Sequence, residues 1–130
     1  MDLDRIDHVV FTVRDITATC DFYTRALGVA VITFGDGRRA LQVGRCKVNL
    51  HQVGHEFEPK AAQPRPGTQD ICLVSANPLP DVISHLRGVG VEIIEGPVPR
   101  TGALGPMESV YLRDPDGNLI EVACYATAEG

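Results

Sequence analysis

The sequence predicts an α+β fold built from two similar βαβββ modules. Strand-like and helix-like segments occur in the same order twice, and segment 28–32 overlays 90–94 when one half is shifted onto the other. At 130 residues the chain is long enough to bury a sizeable core without disulfides or structural metals. We therefore expect one domain, residues 1–130, composed of a first module (about 5–54), a proline-rich linker (about 55–67) and a second module (about 68–125).

The first half is predicted to run strand, helix and three strands. Residues 6–13 are β-branched and apolar, as in a buried strand. Asp15 and Gly28 are candidate caps of a helix whose apolar stripe consists of Ile16, Cys20, Tyr23 and Leu27. Glycine turns then separate three short strands at 29–34, 40–43 and 47–53.

The second half repeats this order from a strand that starts at Asp70. Asn77 and Pro78 mark the start of the helix, and Gly88 and Gly90 mark its end. The remaining strands are predicted at 91–94, 108–113 and 118–124, with a loop at 97–106. Two copies of one supersecondary unit indicate a fused pair with pseudo-twofold symmetry.

Polar side chains recur on one face of the predicted strands. Because side chains alternate along a strand, the face of the first strand that carries Phe11 should meet the helix, and His8 and Thr12 should lie on the opposite, open face. The shift between the halves places Asp70 over His8, and a longer shift that preserves strand length places Glu121 over His51. These four side chains are His8, His51, Asp70 and Glu121.

Two imidazoles and two carboxylates suit a divalent metal such as Zn, Ni, Co, Mn or Fe. A cation would also offset the repulsion between two carboxylates in one pocket. Each residue has an ordinary alternative role, since a single strand histidine is more often a hydrogen-bonded core or rim residue and Asp70 could cap its strand. The sequence therefore predicts a metal site from the coincidence of the four residues.

Composition narrows the class of partner. The net charge is −5 and no block of basic residues occurs, which argues against nucleic-acid binding. The longest apolar stretch is far shorter than the roughly 20 residues of a membrane span, and the N-terminal residues do not resemble a signal peptide. We therefore expect a cytoplasmic protein that binds a small molecule and neither nucleic acid nor membrane. The four cysteines form no CxxC pair and are predicted to be free, buried thiols.

Two segments resemble a known superfamily. Residues 6–13 (Ile-Asp-His-Val-Val-Phe-Thr-Val) and 113–121 (Arg-Asp-Pro-Asp-Gly-Asn-Leu-Ile-Glu) are similar to the opening and closing strands of the vicinal oxygen chelate superfamily. That superfamily includes glyoxalase I, extradiol dioxygenases and fosfomycin and bleomycin resistance proteins. Segments 56–62 and 95–102 further resemble the subgroup called glyoxalase domain-containing protein 5. The resemblance implies paired βαβββ modules that form an open, U-shaped barrel around a metal, in or across a homodimer.

The resemblance also implies roles for particular residues. The ligand positions of glyoxalase I carry over to His8, His51, Asp70 and Glu121, although glyoxalase I usually has glutamate at the position of His51 and histidine at that of Asp70. Thr12 stands where glutathione-dependent members commonly carry arginine, so the use of glutathione is not favoured. Thr12 and Arg100 are candidate substrate-binding residues, Arg100 because its charge could hold an anionic group.

The leading functional hypothesis is a metal-dependent lyase or isomerase similar to glyoxalase I (lactoylglutathione lyase). It would transfer a proton between adjacent carbons through an enediolate, with Glu121 as the base. One alternative is an Fe(II) extradiol-type dioxygenase that uses His8, His51 and Glu121. Another is a metal-free drug-binding resistance protein, for which a chain with no Trp and only 5% aromatic residues is poorly equipped.

Overall fold

The computed structural model describes residues 1–126, and the chain divides into two compact units, Met1–Thr68 and a second that begins at Gln69. The first unit contains β1 (His8–Val13), α1 (Ile16–Leu27), β2 (Ala30–Phe34), β3 (Arg38–Val43) and β4 (Cys46–Gln52). The second contains β5 (Asp70–Val74), α2 (Leu79–Gly88), β6 (Glu95–Gly102), β7 (Gly105–Arg113) and β8 (Leu119–Tyr125). The predicted α+β fold and its repeated βαβββ order are confirmed; the union of both modules in one domain stays a prediction.

Each unit holds one mixed sheet of four strands. The strand orders are β1-β4-β3-β2 and β5-β8-β7-β6, so the two topologies are the same. In each sheet the first and last strands of the unit pair in parallel, and the other pairs are antiparallel. The register of this parallel pair therefore determines which side chains of the first and last strands lie side by side in each sheet.

Local sequence signals account for the helix that follows β1. The Asp15 side chain accepts a hydrogen bond from the Ala18 amide at 3.1 Å, and Gly28 ends the helix with a left-handed φ of 65°. Both predicted caps are confirmed. No helix within residues 1–126 combines the length and the apolar character needed to cross a membrane.

One face of each sheet forms an apolar core with its helix. In the first unit the buried side chains of this face include Phe11, Val13, Leu41 and Leu50, and α1 adds Cys20, Tyr23 and Ala26. In the second unit they include Val110, Leu112, Ile120 and Val122, and α2 adds Leu86. Burial of each large side chain contributes about 1.5–3 kcal/mol to the free energy of folding. The opposite, open face of each sheet is left for polar residues.

The sixth strand differs from the prediction. A strand was expected at 91–94 and a loop at 97–106, whereas the strand forms at Glu95–Gly102. This strand lies at the edge of its sheet, where Pro97 and Pro99 are tolerated because one side of an edge strand needs no N–H donor. A register shift between Glu95 and Val98 accommodates this irregular stretch. Arg100 consequently lies on a strand of the second sheet.

The cysteines are free, as predicted, but they are not all buried. Cys20 lies in the core, Cys46 and Cys124 are partly buried, and Cys72 is exposed. The prediction of burial is wrong for Cys72 because this residue lies on the open face of β5, two places after Asp70.

Candidate functional site

The register between β1 and β4 separates the two predicted histidine ligands. His8 lies opposite Lys47, whereas His51 lies opposite Thr12. At about 3.3 Å per residue, the offset of four positions from His8 to Thr12 places the two histidines about 13 Å apart along the strands. His8 is half-exposed, and its Nδ1 lies 2.8 Å from the Asp7 carboxylate. The first unit therefore does not bring the two imidazoles together.

The register of the second unit places Cys72, and not Asp70, opposite Glu121. Asp70 lies opposite Leu119, two residues or about 7 Å further along the same face. When Asp70 is overlaid on His8, Cys72 falls on Val10, whose partner across the first sheet is Asn49. Asn49 is thus the structural equivalent of Glu121. The predicted equivalence of His51 and Glu121 is wrong by two residues.

Glu121 is held by neighbours on both adjoining strands. Ser109 on β7 is fully buried and donates a hydrogen bond from its Oγ to Glu121 Oε2 at 2.6 Å. Partial burial of the Cys72 sulfur, the Glu121 charge and a hydrogen bond to that carboxylate raise the pKa of Cys72 to about 11. Cys72 therefore stays a thiol at neutral pH and donates to Glu121. The carboxylate is half-buried, and hydroxyl and thiol donors fix its position.

Arg100 supplies a cation to the same open face. Arg100 lies opposite Met107, which shares one face of β7 with Ser109 and Tyr111. This places Arg100 on the Glu121 side of the sheet. Its Nε donates to the Tyr111 hydroxyl at 2.8 Å, and this bond raises the pKa of the guanidinium. Tyr111 itself lies directly opposite Glu121. One terminal nitrogen of Arg100 lies 3.5 Å from the Glu95 carboxylate, and the side chain keeps 39% of its surface exposed to a small anion.

The open face of the first sheet carries His51 and Thr12, both buried. His51 Nε2 lies 3.3 Å from a terminal nitrogen of the Arg38 guanidinium. Burial, followed by the charge of Arg38, lowers the pKa of His51, against a smaller opposing effect of Glu56. The imidazole is therefore neutral at pH 7, and its ε nitrogen is occupied by a cation. Thr12, on β1, lies opposite His51.

The predicted set of four metal ligands draws two residues from each unit. Among residues 1–126, no three His, Cys, Asp or Glu side chains gather as they would around a metal. Within the first unit, His8 is too far from His51, and a divalent ion at His51 Nε2 would meet the Arg38 charge. Imidazole and carboxylate are suitable donor types, and a single His8–His51–Asp70–Glu121 centre stays a prediction.

Some residues of the site were missed at the level of sequence. Ser109 and Tyr111 alternate with buried Val110 and Leu112 in a segment that was predicted as a strand, so alternation alone could have identified them. Alternation places Asn49 on the open face with His51 but assigns no role to Asn49 or to Arg38. Their importance depends on contacts and register between strands that are distant in sequence.

Comparison with known proteins identifies the superfamily. A family profile described as the Glyoxalase/Bleomycin resistance protein/Dioxygenase superfamily matches residues 5–122. The chain is 53% identical over 124 residues to the Glyoxalase domain-containing protein RDO1 of Mycosarcoma maydis, a match that covers 95% of this chain and 70% of that protein.

Solved structures agree with this match. The crystal structure of Virulence protein STM3117 from Salmonella typhimurium is 52% identical, has a TM-score of 0.95, and covers 97% of this chain and 100% of that chain. A lactoylglutathione lyase from Agrobacterium tumefaciens, at 18% identity and a TM-score of 0.73 over 95% of both chains, shares the fold alone. The chain belongs to the glyoxalase/bleomycin resistance protein/dioxygenase superfamily, which is the vicinal oxygen chelate superfamily.

Proposed function

We propose that this protein is a glyoxalase-like lyase or isomerase that moves a proton between adjacent carbons of a small, oxygen-rich, anionic substrate. The observation that carries the proposal is the pairing of a fixed carboxylate, Glu121, with a fixed cation, Arg100, on one open face of the second sheet. A carboxylate held by the hydroxyl of Ser109 suits a general base, and a guanidinium suits an anionic group.

The chemistry requires no co-reactant. Glu121 takes a proton from a carbon next to a carbonyl group, and the C–H electrons form the double bond of an enediolate as the carbonyl oxygen becomes negative. Arg100 and the hydroxyl of Tyr111 lie on the same face to stabilise this oxygen. Glu121 then returns the proton to the former carbonyl carbon. The carbon that was first deprotonated bears a hydroxyl group, whose proton passes to the negative oxygen, and the new carbonyl group forms at that carbon. The carboxylate ends the cycle as it began.

A divalent metal stays a prediction from the superfamily resemblance. When bound, such an ion supplies Lewis-acid stabilisation of substrate oxygens. Because His8 and His51 do not converge within the first unit, no step proposed here passes through an ion. Elemental analysis of protein reloaded with Zn, Ni, Co, Mn or Fe tests the requirement, with His8→Ala and Glu121→Gln as variants expected to lose any ion that these residues bind.

Other finer assignments also remain predictions. These are the subgroup of glyoxalase domain-containing protein 5, a homodimer, and a cytoplasmic location. The alternative of an Fe(II) dioxygenase is disfavoured because it needs two histidines and one carboxylate around one ion, and the register separates His8 from His51.

The test of the proposal is deuterium wash-in from D2O, followed by proton NMR. The panel comprises hydroxyacetone, glyceraldehyde, glycerate semialdehyde and methylglyoxal, the last with and without glutathione. We expect catalysed exchange with at least one member, lost by a factor of about 10²–10⁴ in Glu121→Gln. Glu108→Gln is the matched control, since Glu108 lies on the same sheet but alternates onto the opposite face. Equal exchange by Glu121→Gln and the wild-type protein would refute the proposal.

A further inference from the structure

We propose that the first unit contains a binding site for a small 2-hydroxycarboxylate anion, formed by Arg38, Asn49 and His51 on the open face of its sheet. The inference goes beyond the proton transfer assigned to Glu121, because it concerns residues of the first unit alone. It predicts binding that can be measured without turnover.

Three buried polar atoms of this face have no hydrogen-bond partner among residues 1–126. They are Arg38 Nε, Asn49 Oδ1 and His51 Nδ1. Asn49 is only 6% exposed and His51 only 3%. A buried polar group without a partner is destabilising, so such groups are normally paired. The concentration of three of them on two adjacent strands indicates that a molecule other than the chain completes them.

The chemistry of the three atoms defines what that molecule offers. A guanidinium has only donors, so His51 Nε2 must accept from Arg38, and the imidazole proton resides on Nδ1. The site thus presents two unpaired N–H donors, one positive charge and one unpaired acceptor, Asn49 Oδ1. An anion with oxygen acceptors and one O–H donor matches this set. A 2-hydroxycarboxylate has these features.

Nearby charges leave Arg38 available to an anion. Glu56 is the carboxylate that acts on His51, but it accepts a hydrogen bond from the Gly54 amide at 2.8 Å and lies 3.6 Å from Lys60 Nζ. The positive charge of Lys60 also faces Glu58 at 3.2 Å. Glu56 is therefore paired with the Gly54 amide and Lys60, which leaves the charge of Arg38 for an anion.

Aromatic rings fix the guanidinium and limit the size of the ligand. The guanidinium carbon of Arg38 lies 4.3 Å from the ring centre of Phe57 and 5.2 Å from that of Phe34. Phe57 also contacts the His51 ring edge to face, with centres 5.5 Å apart. Beside Asn49, the neighbour on β3 is the small residue Ala40. A small planar carboxylate suits this surrounding better than a tetrahedral phosphate does.

The experiment is isothermal titration of the full chain with four probes: glycolate, acetate, ethylene glycol and inorganic phosphate. We expect glycolate to bind, acetate to bind at least tenfold more weakly because it lacks the hydroxyl group, and ethylene glycol not to bind. Tighter binding of phosphate than of glycolate would overturn the assignment of a carboxylate. Absence of binding by glycolate would overturn the site itself and leave water as the partner of the three atoms.

Two variants separate the roles of the residues. Arg38→Met should abolish glycolate binding, and Arg39→Met is the matched control because Arg39 alternates onto the helix face. Asn49→Leu should reduce glycolate affinity to that of acetate and leave acetate affinity unchanged. It removes an unpaired buried oxygen, so it should fold at least as stably as the wild-type chain. Retained preference for glycolate in Asn49→Leu, or retained binding in Arg38→Met, would contradict the proposal.

Discussion

The two units use the same strand order but place different chemistry on their open faces. At equivalent positions of the parallel strand pair, the first unit has the amide of Asn49 and the second has the carboxylate of Glu121. Glu121 is held by Ser109, whereas Asn49 Oδ1 has no partner among residues 1–126. The comparison teaches that one scaffold can place a hydrogen-bonded carboxylate in one copy and, among the described residues, a buried amide oxygen without a partner at the same position in the other.

The helix-facing cores, by contrast, should be equivalent in the two units. Phe11→Ala in the first unit and Leu112→Ala in the second should each lower the free energy of unfolding, by about 3–5 and 2–5 kcal/mol respectively, because both side chains are fully buried. Val10→Ala is the control, since Val10 lies on the open face of β1 and is 39% exposed. Urea denaturation followed by circular dichroism measures all three. A cost of Val10→Ala as large as that of Phe11→Ala would show that the faces are misassigned.

Two turns, one in each unit, should differ in their contribution to stability. The buried carboxylate of Asp114 accepts hydrogen bonds from the amides of Asp116 and Asn118 and from the Asn118 side chain. Asp114→Ala should therefore cost about 2–4 kcal/mol, because these donors lose their acceptor. Asp36→Ala, in an exposed turn of the first unit, should change stability by less than about 0.5 kcal/mol. Thermal denaturation of both variants checks the difference.

The reactivity of Cys72 reports on the carboxylate opposite it. With a pKa of about 11, Cys72 should react slowly with iodoacetamide at pH 8 although it is exposed. Glu121→Gln removes the neighbouring charge and should accelerate alkylation of Cys72 at least about fivefold. Cys124, which lies on the opposite face of β8, is the internal control and should keep its rate. Mass spectrometry of time points gives both rates, and an unchanged Cys72 rate would contradict the assigned contact.

The smallest expected effect is a pH dependence that comes from the first unit. Burial and Arg38 lower the pKa of His51 below its ordinary value of 6.5. Between the pKa of the folded state and 6.5, the unfolded chain therefore binds more protons at His51 than the folded chain does. The contribution of His51 to stability is complete above pH 6.5 and declines as the pH falls through the folded pKa. His51→Gln should remove this part of the slope of unfolding free energy against pH. An identical slope in the variant and the wild-type protein would refute the assignment.

Local signals predicted most of the fold because they act within a few residues. Asp15 and Gly28 cap α1 as expected, and alternation placed Phe11 and Val13 in the core. The sixth strand escaped prediction because its prolines disfavour most strands, and only its edge position, a property of the whole sheet, makes them acceptable.

The site was less predictable because it depends on strand register. Arg100 was singled out, and the structure places it on the open face together with Glu121. The predicted alignment of the two halves placed Glu121 over His51, whereas the register within each sheet makes Asn49 the equivalent of Glu121. A two-residue slip keeps a side chain on the same face while moving it about 7 Å, so alternation alone cannot detect it.

The most direct test of the central claim is a double-mutant cycle of Glu121→Gln and Arg100→Met, measured as deuterium wash-in on the best substrate of the panel. If both residues act on one substrate at one face, each single variant should lose activity, and the double variant should fall little below Glu121→Gln alone. Full activity in either single variant, or losses that multiply as independent factors in the double variant, would contradict the account.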